Sequence, residues 1–432
     1  MKSSSSTVLS LSSKHDIELV TKEPEWLHEF RAKVWNAFQI LPLESDPNLL
    51  NFLQTKILNE FQFSYPPPPI ANPKTNLKPT ADTKIEFKSS PELEEITISD
   101  KYATNSQITF QNLFSLISSS EFFIDLLNSL MELKINDKLL AAALTTLDWG
   151  TYLKIDSNAS FNETINVTFE TSGSSIRSGL HIIDIKDNVN ATINLTYDSH
   201  NNIFDHSVTY ILTSTNSHVN ILINELGLAE RKTNRGFITK IGKDSSVNFA
   251  QVQVDGSYVR QRAEFYFTEE GGDLVEVACL SAHNKQDYDF YSAIYHLTPR
   301  CNSRAYARGV NDNDSRTIFK GKVDIGKKGA KVNTDLSLHG LLLSKKAKFH
   351  SFPAMEVVNN DVVATHGASV SQIDQEQIFY FQTRGIDRDN AEYMIASGYF
   401  EPAISRIRSS NLQDQVRAII SKAVDEQFHK NQ

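Results

Sequence analysis

The sequence predicts a mainly β protein, a solenoid of stacked strands set between helical N- and C-terminal segments. Three observations predict it. From about Thr151 to Ala368 apolar residues fall at alternate positions in "INVTFE", "VNATINLTY", "HVNILINEL", "SSVNFAQVQV", "DLVEVACLS", "AKVNTDLSL" and "DVVATHGAS", the period of a pleated strand. The units begin at Val189, Val219, Val247, Val275 and Ala305, 28 to 30 residues apart, and a sustained spacing of that size marks a stacked repeat. On either side the period lengthens to that of a helix. A large β-sandwich would also give short, regularly spaced strands.

Along the chain, residues 1–147 form an N-terminal segment, 148–370 the β core and 371–432 a helical C-terminal domain. The opening "MKSSSSTVLSLSSKHDIELV" has neither a long apolar stretch nor an arginine-rich amphipathic pattern, and is expected to be a disordered tail rather than a signal or transit peptide. "KEPEWLHEFRAKVWNAFQIL" places Trp26, Phe30, Val34 and Phe38 at steps of four after an acid-and-proline start, so a helix is expected. "SYPPPPIANPKTNLKPTADTK" is a proline-rich linker. "EEITIS" reads as a short strand. Residues 108–146 read as helical, with Leu113, Leu116, Phe123, Leu126, Leu127 and Leu130 on the apolar face. After the β core, Asp374-x-x-Gln377 is a capping box and Gly385 a helix stop. A second helix is expected from Asp387 to Gly398, and Pro402 opens a third segment. Leu412, Val416, Ile419, Ile420, Ala423 and Val424 make an apolar face for core packing, with the neighbouring surface available for docking. The helical segments are expected to cap the two ends of the solenoid, where stacked coils would otherwise expose apolar edges.

Bulk properties narrow the function. A net charge of −9 without a basic stripe argues against nucleic acid, and no apolar run approaches the roughly 20 residues of a membrane span. Six N-x-S/T sequons begin at Asn158, Asn162, Asn166, Asn190, Asn194 and Asn313; without a signal peptide they read as residues of polar strands and turns. Two cysteines, Cys279 and Cys301, make no disulfide framework, and a reducing, cytoplasmic setting is expected. No G-x-x-x-x-G-K-[ST], H-E-x-x-H or G-x-S-x-G occurs, so any ATP hydrolysis must come from a partner.

The candidate chemistry centres on His366-Gly367, read as standing where strand pattern gives way to helix pattern. A histidine held at the rim of a sheet, facing a partner, would mean chemistry, and a neutral imidazole can ligate a metal without adding charge. Cys279 is in phase with Val275 and Val277 and reads as a core residue. Cys301 follows Pro299-Arg300 at a turn, where greater accessibility is expected, and is the second candidate ligand. His296 reads as a packing and hydrogen-bonding residue, His339 and His350 as surface residues, and Arg384-Gly385 as a helix end rather than a phosphate site.

Three blocks in order resemble the SufB/SufD family of iron–sulfur cluster assembly proteins. They are "KEPEWLHEFRAKVWNAFQILPL", then "IYHLTPRCNSRAYARGVNDNDSRTIFKGKV" with His296, Pro299, Ser303, Gly309, Ser315-Arg316, Phe319 and Gly321, and then "THGASVSQIDQEQIFYFQTRGI" with His366, Gly367, Arg384 and Gly385. The resemblance implies a right-handed parallel β-helix and a non-catalytic scaffold. It implies pairing with a SufB-type subunit, or with itself, through the β-helix, and docking of the ABC-type ATPase SufC on the C-terminal helical domain. ATP-driven closure of two SufC subunits would then strain the paired β-helices and expose the junction near His366. No permanent cofactor is implied; a transient iron–sulfur cluster at the subunit interface is, while flavin involvement stays open. His366-Gly367 is SufD-like, where SufB-like chains carry His-Glu. SufB's cluster-assembly cysteine matches Leu338 here, and a SufD-type cysteine two residues before the histidine would fall at Ala364. One alternative is a SufB-like scaffold that binds the nascent cluster as a homodimer. A remoter one is a polysaccharide-active β-helix enzyme, whose nearest acidic cluster, "NDNDS" at 311–315, reads as a turn.

Overall fold

The computed structural model describes residues 25–42, 84–90, 94–113, 116, 136–172, 176–199, 204–227 and 230–429. The expected N-terminal tail, the proline-rich linker up to Thr83 and the positions of Phe123, Leu126, Leu127 and Leu130 lie outside them. The elements run α1 (Glu25–Ile40), β1 (Lys84–Ser89), β2 (Glu94–Ile98), α2 (Asp100–Ala103), β3 (Ile108–Asn112), α3 (Lys138–Thr145), β4 (Trp149–Ile155), β5 (Ser160–Thr171) and β6 (Ile176–Ile185). Next come β7 (Asn190–Ser199), β8 (Phe204–Thr213), β9 (His218–Gly227), β10 (Lys232–Ile241), β11 (Ser246–Gln253), β12 (Tyr258–Phe267), β13 (Asp273–Ala282), β14 (Asp287–His296) and β15 (Asn302–Asn311). The chain ends with β16 (Arg316–Ile325), β17 (Val332–Leu342), β18 (Lys348–Val357), β19 (Val362–Gln372), α4 (Gln375–Thr383), α5 (Arg388–Tyr399), α6 (Glu401–Ile404) and α7 (Ser410–His429).

From β4 onward, odd strands pair in parallel with odd and even with even, each coil lying on the one before. One sheet runs β19-β17-β15-β13-β11-β9-β7-β5-β1-β2 and the other β18-β16-β14-β12-β10-β8-β6-β4-β3. This is a β-solenoid of about seven turns. All seven segments picked out by alternation belong to the first sheet. The even strands, such as "FDHSVTYILT", "KTNRGFITKI" and "YVRQRAEFYF", carry polar or charged residues on both of their rows, which masks the period.

The repeat was real but its phase drifts. Val219 pairs with Val247, as the spacing implies, but Val247 pairs with Leu274, which places Val275 on the opposite face. Corners of unequal length shift the register by a residue. One corner is built from a column of left-handed residues: Asn158, Asn188, Asn216 and Asp244 all have φ between 52° and 64°. Asn188 Nδ2 donates to Asn158 Oδ1 at 3.1 Å and Asn216 Nδ2 to Asn188 Oδ1 at 2.8 Å; asparagine tolerates this conformation and its amide extends the ladder. The sequons fall as read, Asn158 and Asn313 at left-handed turns and the other four in β5 and β7.

Alternate residues of each strand face the lumen or the outside, which divides the apolar side chains into three cores. The lumen is filled by rows such as Val219, Ile221, Phe249, Phe265, Phe290 and Phe319. The outer row of the even sheet packs with Leu27, Phe30, Val34 and Phe38 of α1 and Leu139, Leu140 and Leu144 of α3. The outer row of the odd sheet, including Val275, Val277 and Cys279, packs with Leu412, Val416, Ile420 and Val424 of α7 and with α5 and α6.

Among the described residues, α1, α3, α5, α6 and α7 therefore clad the sides of the solenoid rather than cap its ends, a correction to the expectation. Their apolar stripes match the flat outer rows of the sheets, where several strands can be covered at once. Two further boundaries move. Residues 108–112 are a strand, antiparallel to β4, because Ile108 and Phe110 alternate with polar neighbours. Strands β1, β2 and β3 all precede residue 148 and extend both sheets.

In the C-terminal domain the helix starts and the stop stand where the sequence places them, though the hydrogen bond at Asp374 goes to Glu376 and not to Gln377. Asp374 caps α4, accepting from Glu376 N–H at 2.8 Å, and Asp387 caps α5, accepting from Asn390 N–H at 2.9 Å. Gly385, at φ 83°, closes α4: Gly385 N–H donates to Gln382 C=O and Ile386 N–H to Phe381 C=O, the Schellman pattern.

Candidate functional site

The open end of the solenoid is where the last coil leaves its lumenal row uncovered. Strand β12, in mid-stack, is buried at every position, whereas most of β19 is exposed. With no further strand beyond them among the described residues, β18 and β19 keep unpaired edge groups and show Val357, Val363 and Val370 to solvent beside Val358, Val358 at 69% and Val363 at 62%. A long apolar edge is a template for another chain.

His366 sits on that end. It is the fifth residue of β19, not a residue between strand and helix as the pattern suggested, because the strand continues to Gln372. It stacks in register over Leu336, a buried lumenal residue, so the imidazole belongs to the inward row; it is nonetheless exposed because no coil follows. No hydrogen bond or ion pair engages its ring among the described residues. Ala364, two residues earlier on the same row, packs against the lumenal core. Ser351, Pro353 and Met355 of β18 lie opposite, in register with Phe319, Gly321 and Val323.

Below this rim the lumen is lined by apolar side chains. Leu336 and Leu338 form the floor, and Phe349 closes it beside the backbones of Gly309 and Gly340. A Cβ on Gly340 would lie 2.4 Å from the Phe349 ring, and one on Gly321 3.0 Å from Leu336 and 3.1 Å from Leu338. By contrast, a Cβ on Gly367 meets nothing within 4 Å and its φ is not positive, so this glycine is not required by backbone strain. Gly340→Val is accordingly expected to destabilise the protein by about 1–3 kcal/mol through overpacking against Phe349, whereas Gly367→Ala leaves the melting midpoint within error. Equal midpoints for the two variants would show that Phe349 does not close the lumen.

The remaining signature residues are structural in position. His296 is buried, stacks on Phe267 at 4.6 Å and shares a 2.9 Å hydrogen bond between Nε2 and Ser303 Oγ; burial pushes its pKa down to about 3. Pro299 lies in the turn that Arg300 completes at φ 60°. Arg316 forks onto Asp287, with Nε and Nη2 donating at 3.0–3.2 Å. Arg384 ends α4 and lies 5.4 Å from the Tyr380 ring.

Cys301 is not the accessible thiol its turn suggested. It is wholly buried in the lumenal core near Thr298 Oγ1 and the Pro299 and Glu269 carbonyls, and burial raises its pKa. The strand that follows carries it inward, which the turn residues alone could not reveal. Cys279 is buried as expected, and burial pushes its thiol up to about 12. His339 and His350 are half-buried rather than free on the surface. The "NDNDS" segment is the β15–β16 turn, with Asn313 left-handed. Among the described residues no three His, Cys, Asp or Glu side chains of the chain itself converge as a metal site.

Sequence reasoning missed β18 altogether. Phe349 and Phe352 break the period of two in "KFHSFPAMEV", but Pro353 inside an otherwise extended stretch was a usable sign of an edge strand.

Fold and rim together define a class: a laterally clad parallel β-solenoid with one bare end that presents an imidazole. The family model described as "SUF system FeS cluster assembly, SufBD core domain" matches residues 168–399, more than half of the chain, and the chain belongs to the SufBD family. It is 23% identical over 413 residues to an iron–sulfur cluster assembly SufBD family protein of Staphylococcus haemolyticus, covering 90% of this chain and 87% of that one. It is 32% identical over 122 residues to the iron–sulfur cluster assembly protein SufD of Escherichia coli, covering 28% of this chain and 29% of that protein. To SufD of Bacillus subtilis it is 26% identical over 221 residues, covering 50% and 48%. Among the described residues no helix is long and apolar enough to cross a membrane.

Proposed function

We propose that this chain is a SufD-like, non-catalytic scaffold subunit that builds iron–sulfur clusters as half of an interface, with the cluster as cargo rather than resident cofactor. The observation that carries the reading is the bare last coil, where His366 belongs to the lumenal row yet stands exposed between unpaired strand edges. A SufB-type subunit, or a second copy, would continue the sheets at β18 and β19 and bury Val363 and Val370. That would bring ligands of its own toward the imidazole, which by itself supplies one ligand and needs thiolates from the other side.

A SufC-type ATPase is assigned to the C-terminal helices. Their inner faces are spent on the odd sheet, whereas Phe379, Tyr380 and Met394 of α4 and α5 are exposed at 67%, 58% and 46%. The helices are anchored on β11, β13 and β15, so force applied there would pass to the coils bearing the paired end. Closure of two ATPase subunits would then switch the interface between two packed states.

The test is reconstitution of the full complex, with anaerobic iron and sulfide analysis. His366→Ala is expected to lower cluster yield severalfold while the subunits still co-purify with the ATPase. An unchanged yield would remove the role given to this residue.

A further inference from the structure

On the outer face of the odd sheet, away from the rim described above, a cavity of about 130 Å³ lies between β15, β17 and α6. Its walls include Tyr306, Arg308, Ser337, His339, Pro402 and Arg406. Two guanidiniums with no carboxylate partner among the described residues face one small space. Arg308 is half-buried, donates from Nη1 to the Tyr399 carbonyl at 3.1 Å and lies 4.7 Å from the Tyr399 ring. Arg406 lies 5.1 Å from the Tyr306 ring. The neighbouring acids have partners of their own: Asp335 accepts from the hydroxyls of Tyr306 and Thr365 and acts on His339 through space, and Glu401 pairs with Arg417. His339 Nδ1 shares a 2.7 Å hydrogen bond with Ser369 Oγ, which fixes the ring at the cavity wall.

We propose that this cavity is a phosphate-binding site. Guanidinium forks held beside aromatic rings are preorganised for an oxyanion, and two guanidiniums against the one nearby carboxylate of Asp335 leave a net positive charge around a small cavity, which favours an anion there. A tetrahedral phosphate offers enough acceptor oxygens for two arginines, the Ser337 hydroxyl and the His339 ring together, whereas a carboxylate has only two. The volume accepts one phosphate and not a nucleoside. Bound phosphate bridges α6 to β15 and β17, and so ties the C-terminal helices to the solenoid.

Titration of the full chain with inorganic phosphate at constant ionic strength, read by calorimetry and by the His339 imidazole resonance, tests this. Saturable binding is expected, with the His339 signal shifting. Arg406→Ala, a change at an exposed side chain, is expected to weaken binding by about tenfold or more, and Arg406→Lys by less, since lysine keeps the charge but loses the planar fork. ADP is expected to bind no more tightly than phosphate. No saturable binding, binding that ignores Arg406→Ala with the His339 resonance unmoved, or ADP binding that phosphate cannot displace would each overturn the assignment.

Discussion

Replacing Arg235 with methionine is expected to destabilise the protein by about 3–5 kcal/mol, since removing one partner of a buried ion pair strands the other charges. Arg235 lies on the lumenal row of β10, in sequence with Phe237. Its Nε donates to Glu225 Oε1 at 2.6 Å, its Nη1 to Ser207 Oγ at 2.8 Å and its Nη2 to Asp205 Oδ2 at 2.6 Å. All three charged side chains are 1–2% exposed. Burial alone would raise the Asp205 pKa, but the Arg235 guanidinium outweighs it and holds the carboxyl below the usual range. Without Arg235, Glu225 keeps its contact with Arg231 at 2.9 Å, while Asp205 keeps hydroxyl donors such as Ser199 and Thr171 and only the more distant charge of Arg231. The loss is read from the denaturation midpoint at neutral pH, and it should shrink in acid, where the stranded Asp205 takes up a proton. A loss below about 1 kcal/mol, the scale of a surface pair, would show that the lumenal network carries little of the stability.

The second large effect has the opposite sign. Glu276, 1% exposed on the lumenal row of β13, accepts hydrogen bonds from Gln251 Nε2 at 3.0 Å and from Ser292 Oγ, and has no cation partner among the described residues. Burial pushes its pKa from 4.5 up to about 7, the Ser292 hydrogen bond opposing only in part. The native state therefore keeps a proton that the unfolded chain releases near pH 4.5. The stability this proton contributes is complete below that pH and is lost as pH rises through about 7, a fall on the order of 3 kcal/mol. Glu276→Gln carries no such charge and keeps an oxygen for Gln251. It is expected to match the parent at acid pH and to exceed it by up to about 3 kcal/mol at pH 8. Parallel pH profiles for the two proteins would refute the buried, uncompensated carboxyl.

Both predictions concern polar groups in a lumen that alternation alone would assign to apolar residues. Asp205, Arg235, Gln261 and Glu276 occupy lumenal positions, and Arg260 and Arg262 the covered outer row, where they meet Asp137 at the start of α3. Each is legible in the sequence only as an interruption of the strand period. The interruptions are tolerated because partners arrive from neighbouring coils about one repeat away, such as Asp205 and Arg235, paired across adjacent strands of one sheet. Separations of that length carry no local signal.

Local chemistry by itself determined a good deal: alternation in the odd strands, the left-handed asparagine corners, the caps at Asp374 and Asp387, the stop at Gly385 and the family blocks around His296 and His366. These depend on backbone preference and on side chains close in the chain, so a single strand or turn suffices to encode them. Tertiary stacking alone decided which row faces the lumen, that helices clad the sides instead of the ends, that Cys301 is sealed in, and that His366 stands exposed in mid-strand. Each of those outcomes depends on whether another coil or helix covers a given row. That is a property of neighbours about thirty residues away or more, and at the last coil of no described strand stacking beyond it.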